Sequence, residues 1–265
     1  MCLFESSPRW SRTFRAATLL ADALGDKLVV DPGASLRWPL RGRLEHSRDM
    51  ARAVGAEILV TGSAQTTLGK LIAPHRSPAL AAATGLATML VPAQADEGLG
   101  ARRPVGTALV CGVDESPAAE AAVDVAGRLS AHLGLRLHLL HAYAPALPAL
   151  IAPAPVAVAP VPSREIERAA REAGRSLLER VGRSVDRRAL LRLRPGPAAP
   201  SIEAYADLFD APLIVTGAPR HGALASALVG SVAWRLTGRC NRPVMLVPEA
   251  RADGELANTM EDPLR

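Results

Sequence analysis

The chain of 265 residues repeats itself, and this repeat limits the folds that it can adopt. Val60-Thr61-Gly62-Ser63 returns as Val215-Thr216-Gly217-Ala218, and Met89-Leu90-Val91-Pro92 returns as Met245-Leu246-Val247-Pro248. The two offsets, 155 and 156 residues, differ by only one. Because each copy of an internal repeat is one structural unit, the sequence predicts two related units within one chain.

The two copies differ in length. Near the start, Glu5-Ser6-Ser7-Pro8 matches Asp114-Glu115-Ser116-Pro117 at an offset of 109 residues, so the second copy holds about 46 residues that the first lacks. We therefore expect a shortened first domain, a linker, a complete second domain and a flexible tail. Their predicted bounds are residues 1–92, 93–104, 105–250 and 251–265.

The second copy alternates β-rich runs with segments of helical spacing. Runs such as Leu213-Ile214-Val215 are apolar throughout, which is typical of strands buried on both faces of a parallel sheet. Gly134 follows the first helical segment, where a C-cap glycine is expected. The pattern predicts an α/β fold of two domains, each a parallel five-stranded sheet flanked by helices. The predicted strands of this copy are Thr107–Val113, Arg136–Ala142, Ala189–Arg194, Pro212–Thr216 and Pro243–Val247, and its helices are Ala118–Leu133, Ser163–Val181, Ser201–Phe209 and one containing Ser231–Thr237.

Composition argues against two classes of function. Of 31 basic residues only Lys27 and Lys70 are lysines, and leucine follows each, whereas a Walker phosphate loop needs Gly-Lys before Ser or Thr. The net charge is +5, but 26 acidic residues are interleaved with the basic ones, and aromatic residues make up only 3% of the chain. We therefore expect neither a Walker ATPase nor a nucleic-acid partner.

The cysteines and the hydropathy of the chain indicate in which cellular compartment the protein is expected. Cys2, Cys111 and Cys240 form no CxxC pair, and no secretory leader pattern is present, so we expect a cytoplasmic protein. Ala144–Pro162 carries no charge, but six prolines interrupt it. Because each proline removes an N–H donor and its ring clashes with the preceding turn of a helix, this segment is predicted to be an extended apolar loop. We expect no membrane partner.

Candidate binding residues lie where predicted strands end. In a parallel α/β sheet, ligands bind at the carboxyl ends of the strands, where helix N-termini offer free N–H groups. Gly112-Val113-Asp114 closes one strand of the second copy, and the long turn from Gly217 to Gly230-Ser231-Val232 follows another. Glycine lets the backbone approach a phosphate closely, so these two turns are the candidate ligand-binding elements.

These residues resemble the universal stress protein family in its tandem two-domain form, and the resemblance extends over nearly the whole chain. It implies domains of the adenine nucleotide alpha hydrolase-like fold and a regulatory role in the stress response. In the second copy it rests on Val113-Asp114 with Ser116 following, Leu139-Leu140-His141, Leu213-Ile214-Val215-Thr216-Gly217, Gly230-Ser231-Val232, and Arg242-Pro243-Val244-Met245-Leu246-Val247-Pro248.

The resemblance implies a site for ATP or another adenine nucleotide, and it leaves a Mg²⁺ ion open. Nucleotide-binding members carry Gly, two residues, Gly, nine residues, then Gly-Ser or Gly-Thr; here Arg220 takes the place of the middle glycine. An arginine there either blocks the site or supplies a charge to a phosphate. By resemblance, Asp114 meets the adenine, Ala142 lines the base pocket, and the glycine-rich turn holds the ribose and phosphates. The candidate ligand residues are Val113, Asp114, Ala142, Gly217, Arg220, Gly230, Ser231 and Val232.

The first copy departs further from the family pattern. Glu5 replaces the adenine aspartate, Gln65 replaces the second glycine, and Pro74-His75-Arg76 stands where Gly-Ser is expected. We therefore expect this copy to be a degenerate partner domain without a nucleotide. Domains of this family pair through their last strands, which implies that Met89–Val91 lies against Met245–Val247.

The sequence favours binding over catalysis. The G-x-S-x-G pattern of a hydrolase nucleophile is absent around Ser231, and none of the six histidines pairs with Cys or Asp at a metal-ligand spacing. We expect no enzyme and no metal site formed by side chains. Two alternatives stay open, namely an interaction module that uses the loop 144–162 and an enzyme of adenylyl transfer. Whether the chain forms a homodimer is open as well.

Overall fold

A computed structural model describes residues 2–5, 10–25, 27–31, 40–62, 80–82, 84–92, 107–143, 163–185, 188–218 and 232–249. From Ala108 onward, strands and helices alternate, as the pattern predicts. In chain order they are β1 Cys2–Glu5, α1 Trp10–Leu24, β2 Leu28–Asp31, α2 Leu40–Val54, β3 Ile58–Gly62, β4 Ala87–Val91, β5 Ala108–Gly112, α3 Pro117–Leu133, β6 Arg136–Tyr143, α4 Ser163–Val181, β7 Leu190–Pro195, α5 Ala198–Leu208, β8 Ile214–Ala218, α6 Val232–Arg239 and β9 Val244–Pro248.

The described strands form one sheet of nine in the order β2-β1-β3-β4-β9-β8-β5-β6-β7. Neighbouring strands are parallel except for β4 and β9, which pair antiparallel. The second half therefore contributes the five parallel strands expected of it, and the described part of the first half contributes four. The fifth strand expected of the first half has no counterpart among the described residues.

The antiparallel pair joins the two halves at residues that are also partners in the sequence repeat. Met89 lies opposite Met245, with Thr88 opposite Leu246 and Leu90 opposite Val244. Because Met89 and Met245 are equivalent in the repeat, each copy presents the same strand to the other. This is the arrangement of a two-fold interface, in which a surface meets its own copy.

Helices cover both faces of the sheet. Alternate strand residues point to opposite faces, so Cys111 packs with α3 on the first face and Val110 packs with α5 and α6 on the second. The core of the first face crosses the junction between the halves, because α1 and α3 share it with Met89 and Met245. On the second face, Ala81 from the first half packs with Val244 and Leu246 from β9.

At two helix ends the prediction from local sequence can be compared with the structure. Gly134 caps α3 in the left-handed conformation with φ 65°, as its position predicts. The prediction that α5 starts at Ser201 is wrong, since the helix begins at Ala198 and includes Pro200. Proline is tolerated in the first turn of a helix, where its missing N–H would have no partner within the helix.

None of the described helices combines the length and the apolar character that crossing a bilayer requires. The proline-rich segment Ala144–Pro162, for which the sequence predicts an extended loop, lies outside the described residues, as do the linker 93–104 and the tail 251–265.

The shared core predicts that the two halves unfold together. Met245 is fully buried at the junction, so Met245→Ala should lower the free energy of unfolding by about 2–5 kcal/mol, as large-to-small core substitutions do. Urea denaturation followed by circular dichroism should still show one transition. Leu208→Ala is the matched control, because Leu208 is 69% exposed. Two separate transitions in the wild type would contradict this expectation.

Candidate functional site

The sheet brings the two predicted turns to one edge. β5 and β8 are parallel neighbours whose register pairs Gly112 with Thr216, so the residues that follow, Val113 and Gly217, lie at the same carboxyl edge. The prediction that β8 ends at Thr216 is wrong, since Gly217 and Ala218 still pair with Val247 and Pro248 of β9. On the other side of β5, Gly112 pairs with Leu140 of β6. Ala142 therefore lies two residues further along, at the same carboxyl edge.

The backbone of Val113 is fixed on both sides by β6. Its N–H donates to the Leu140 carbonyl at 2.9 Å, and its carbonyl oxygen lies 2.9 Å from Nδ1 of His141. A carbonyl oxygen can only accept, so His141 carries its proton on Nδ1. The Val113 side chain is buried on the first face of the sheet. The turn that begins here is therefore held before any ligand arrives.

Asp114 is exposed, and its carboxylate is oriented by the start of α3. Its Oδ1 atom accepts hydrogen bonds from the backbone N–H of Ser116, at 2.9 Å, and from the Ser116 hydroxyl. The same hydroxyl accepts from the N–H of Ala119 at 3.2 Å and so caps the helix, with Pro117 as the first helical residue. One oxygen of the Asp114 carboxylate is therefore bound by Ser116, the residue that caps α3. These hydrogen bonds fix the orientation of the Asp114 side chain at the edge of the sheet.

Gly217 sits directly against the first turn of α3. A Cβ atom on this residue would lie 2.7 Å from the carbonyl carbon of Ala118 and 2.8 Å from the amide nitrogen of Ala119. These are backbone atoms, which cannot move aside as the end of a side chain can. The absence of a side chain therefore lets the carboxyl end of β8 approach the cap of α3.

The other predicted ligand residues divide into two groups. Ala142 and Val232 are partly buried, and both pack on the core of the second face. Val232 is the first residue of α6. Arg220, Gly230 and Ser231 lie outside the described residues, so their predicted contacts to phosphate stay predictions.

A further turn at this edge is not among the predicted ligand residues. Gly196 follows β7 with φ 118°, a conformation that side chains rarely adopt. Its N–H donates to the carbonyl of Tyr143 at 2.9 Å, which ties the end of β7 to the end of β6. The signal in the sequence is the run Pro195-Gly196-Pro197, which is typical of a tight turn.

A polar trio lies on the second face, away from this edge, and two of its members, Tyr205 and His138, are buried. The Tyr205 hydroxyl accepts from Nε of Arg192 at 3.2 Å and lies 3.0 Å from Nδ1 of His138. Its own hydrogen is then donated to His138. Burial lowers the pKa of His138, and the nearby charges of Arg192 and Arg136 lower it further. The ring is therefore neutral and serves as an acceptor within the core.

Neither Cys111 nor Cys240 is suited to nucleophilic chemistry. Cys111 and Cys240 are both free and buried, and burial raises the pKa of each thiol, that of Cys240 to about 11. The thiolate is the reactive form, so both behave as small core residues. Within the described ranges, no three His, Cys, Asp or Glu side chains converge as a metal site would require.

Comparisons with known proteins bear on the family and the fold of the chain. The model of the universal stress protein family matches residues 107–248, which is more than half of the chain. A universal stress protein from Archaeoglobus fulgidus DSM 4304 superposes with a TM-score of 0.59 at 12% identity, over 94% of this chain and 96% of that one. A putative universal stress protein from Pseudomonas aeruginosa UCBPP-PA14 gives 0.58 at 17% identity, over 93% and 92%. No curated protein matches the sequence.

The close approach at Gly217 predicts that a single methyl group is destabilising there. Gly217→Ala should lower the free energy of unfolding by about 1–3 kcal/mol, because the methyl would overlap backbone atoms of α3. Gly127→Ala is the control, since its Cβ would meet only the side chain of Val185, with Cγ1 at 3.0 Å, and alanine favours the helix. Thermal and urea unfolding measure both. Equal stability of the two variants would contradict the close approach.

The trio around His138 predicts acid sensitivity. The pKa of His138 is lowered in the folded protein, while an unfolded histidine has a pKa near about 6.5. The unfolded chain therefore binds the proton more tightly, and stability falls as the pH drops below about 6.5. His138→Asn keeps an acceptor for Tyr205 without titrating and should flatten the decline between about pH 6.5 and 5 in urea titrations. His132→Asn, at an exposed histidine, should leave the loss of stability at low pH unchanged. If His138→Asn also leaves it unchanged, His138 is not its source.

Proposed function

The chain belongs to the universal stress protein family, and we propose that its second half binds an adenine nucleotide as a regulatory ligand. The observation that supports this most directly is the register of β5 with β8, Gly112 beside Thr216. It brings the turn at Asp114 and the turn at Gly217 to the same edge of the sheet. Ligands of open α/β sheets bind in the crevice at this edge.

The chemistry of the edge suits the two ends of a nucleotide. The exposed carboxylate of Asp114 offers acceptor oxygens to the exocyclic amine of adenine, and Ala142 leaves room for a flat base beside it. At the other end, α6 begins at Val232, and its first N–H groups and dipole favour a negative charge. In this proposal Gly217 lets the backbone come close to the ribose, while Gly230 and Ser231 provide donors to the phosphates.

Arg220 decides how the phosphates are bound. Arginine in the place of a glycine adds a long side chain, but its guanidinium is a strong bidentate partner for phosphate. We propose that Arg220 contacts the phosphates of ATP. A Mg²⁺ ion would be held chiefly by the phosphates themselves, as is usual for this cation, since the described residues form no cluster of carboxylates for it.

The proposal is one of binding without turnover, in a cytoplasmic protein whose first half binds no nucleotide. The two free cysteines of the second half are compatible with a reducing compartment. The first half would then act as the permanent partner of the second across β4 and β9. Whether complete chains also pair into a homodimer is measurable by sedimentation of the same samples.

Nucleotide titration tests the proposal. ATP, ADP and AMP are added with magnesium in calorimetric and thermal-shift experiments. At a hundredfold excess over the dissociation constant, one bound ligand stabilises the fold by about 2.7 kcal/mol. We expect this shift in the wild type and a loss of at least about tenfold in affinity for Asp114→Ala. Asp124→Ala is the matched control, because Asp124 is an exposed aspartate further along α3.

Arg220→Gly separates the two roles of the arginine. If Arg220 binds phosphate, the glycine variant should bind ATP more weakly than the wild type and AMP about equally. A wild type that binds nothing, with an Arg220→Gly variant that binds, would mean that the side chain closes the site. No binding by either variant would refute the nucleotide proposal and favour the interaction module built on residues 144–162. ATP consumption with a co-substrate would favour adenylyl transfer instead.

A further inference from the structure

We propose that His141 is a positioning residue for the ligand-binding turn, and that it acts through the carbonyl of Val113. This inference rests on the proposed function of the turn at Asp114. His141 Nδ1 lies 2.9 Å from the Val113 oxygen, across 28 positions of sequence. A side chain of β6 therefore reaches the backbone of a turn that belongs to the neighbouring strand β5.

The geometry explains why this bond orients Asp114. The carbonyl of Val113 and the N–H of Asp114 belong to the same planar peptide unit. When His141 fixes the direction of that carbonyl, it also fixes the plane from which Asp114 starts. The N–H of Val113 is already bound to Leu140, so both ends of the residue are attached to β6. Loss of the imidazole donor would leave a carbonyl of a buried residue without this partner and free the plane to rotate.

Helix α4 holds the imidazole ring against the turn. A Cβ atom on Gly174 would lie 2.7 Å from Cδ2 of His141 and 3.3 Å from its Nε2, and also 2.7 Å from Cδ1 of Leu193. Glycine is less favourable than alanine inside a helix, and here its missing side chain leaves the space that the His141 ring and the end of Leu193 occupy. His141 thus lies between α4 and the turn at Val113. A shift of α4 would move the imidazole ring and, through the Val113 carbonyl, the carboxylate of Asp114.

His138 is a contrast on the same strand. It is three residues earlier and therefore points to the opposite face, where its Nδ1 meets Tyr205 rather than the turn. We therefore expect His141 to position Asp114 and His138 not to do so, although both lie on β6.

The experiment compares two substitutions with opposite predictions. Asn places an amide nitrogen where the imidazole has Nδ1, so His141→Asn can keep the donor, whereas His141→Leu cannot. His132→Leu is the matched control, because Nδ1 of His132 also lies near a carbonyl oxygen, that of Arg128 at 2.7 Å, but at the far end of α3. Amide hydrogen exchange of Val113 and Ser116 is measured by NMR in the ligand-free protein, and ATP affinity by calorimetry.

We expect His141→Leu to speed exchange at Val113 and Ser116 by about threefold to tenfold, the range that one net hydrogen bond allows. ATP affinity should fall by a similar factor. His141→Asn should stay within about twofold of the wild type in both measurements, and His132→Leu should change neither. Gly174→Ala is a second route that leaves the histidine in place. Its methyl would overlap the His141 ring and the end of Leu193, and we expect the displaced ring to speed exchange as His141→Leu does.

Failure of this inference is separable from failure of the proposed function. If the wild type binds no ATP, the exchange rates alone decide whether His141 holds the turn. If His141→Leu exchanges at the wild-type rate, or if His141→Asn is as impaired as His141→Leu, the positioning role is overturned even when ATP binds. If His141→Leu does not fold, the exchange rates of Gly174→Ala decide between the same two outcomes.

Discussion

The antiparallel contact between β4 and β9 holds the two halves of the chain in one structure. It turns four strands of the first half and five of the second into one sheet, and it lets one apolar core run beneath both halves. A sheet that ended at β9 would expose an edge of unpaired backbone groups. Here the last strand of each half covers the last strand of the other. β9 in turn supports β8, whose carboxyl end carries Gly217.

The candidate site is built by backbone placement more than by side-chain chemistry. Val113 is held by two hydrogen bonds to β6, Asp114 is oriented by the cap of α3, and Gly217 permits the close contact between β8 and that cap. A site that is ordered before its ligand arrives loses less conformational entropy on binding. Such an edge is suited to a small regulatory ligand, and this is why we interpret the second half as the ligand-binding part of a universal stress protein.

Much of the fold was predictable because its signals are local. The cap at Gly134 and the strand around Leu213-Ile214-Val215 follow from spacing and residue type alone, and the structure confirms both. The start of α5 was not predictable in the same way, because a proline in the first turn is compatible with the helix and with a loop. Gly196 was missed although its flanking prolines mark a turn, since its hydrogen bond to Tyr143 joins the turn after β7 to the end of β6, which is distant in sequence.

The order of strands and helices, the turn residues at which a ligand would be bound, and the equivalence of Met89 with Met245 all follow from the amino-acid sequence. Which of those turns lie together, and which histidine touches them, follows from the tertiary structure instead. His138 and His141 are three residues apart and look alike in sequence, yet one is neutral in a core with Tyr205 and the other donates to Val113. The strand period assigns each residue a face, but its partners come from distant segments, and sheet register and helix packing are needed to bring those segments into contact.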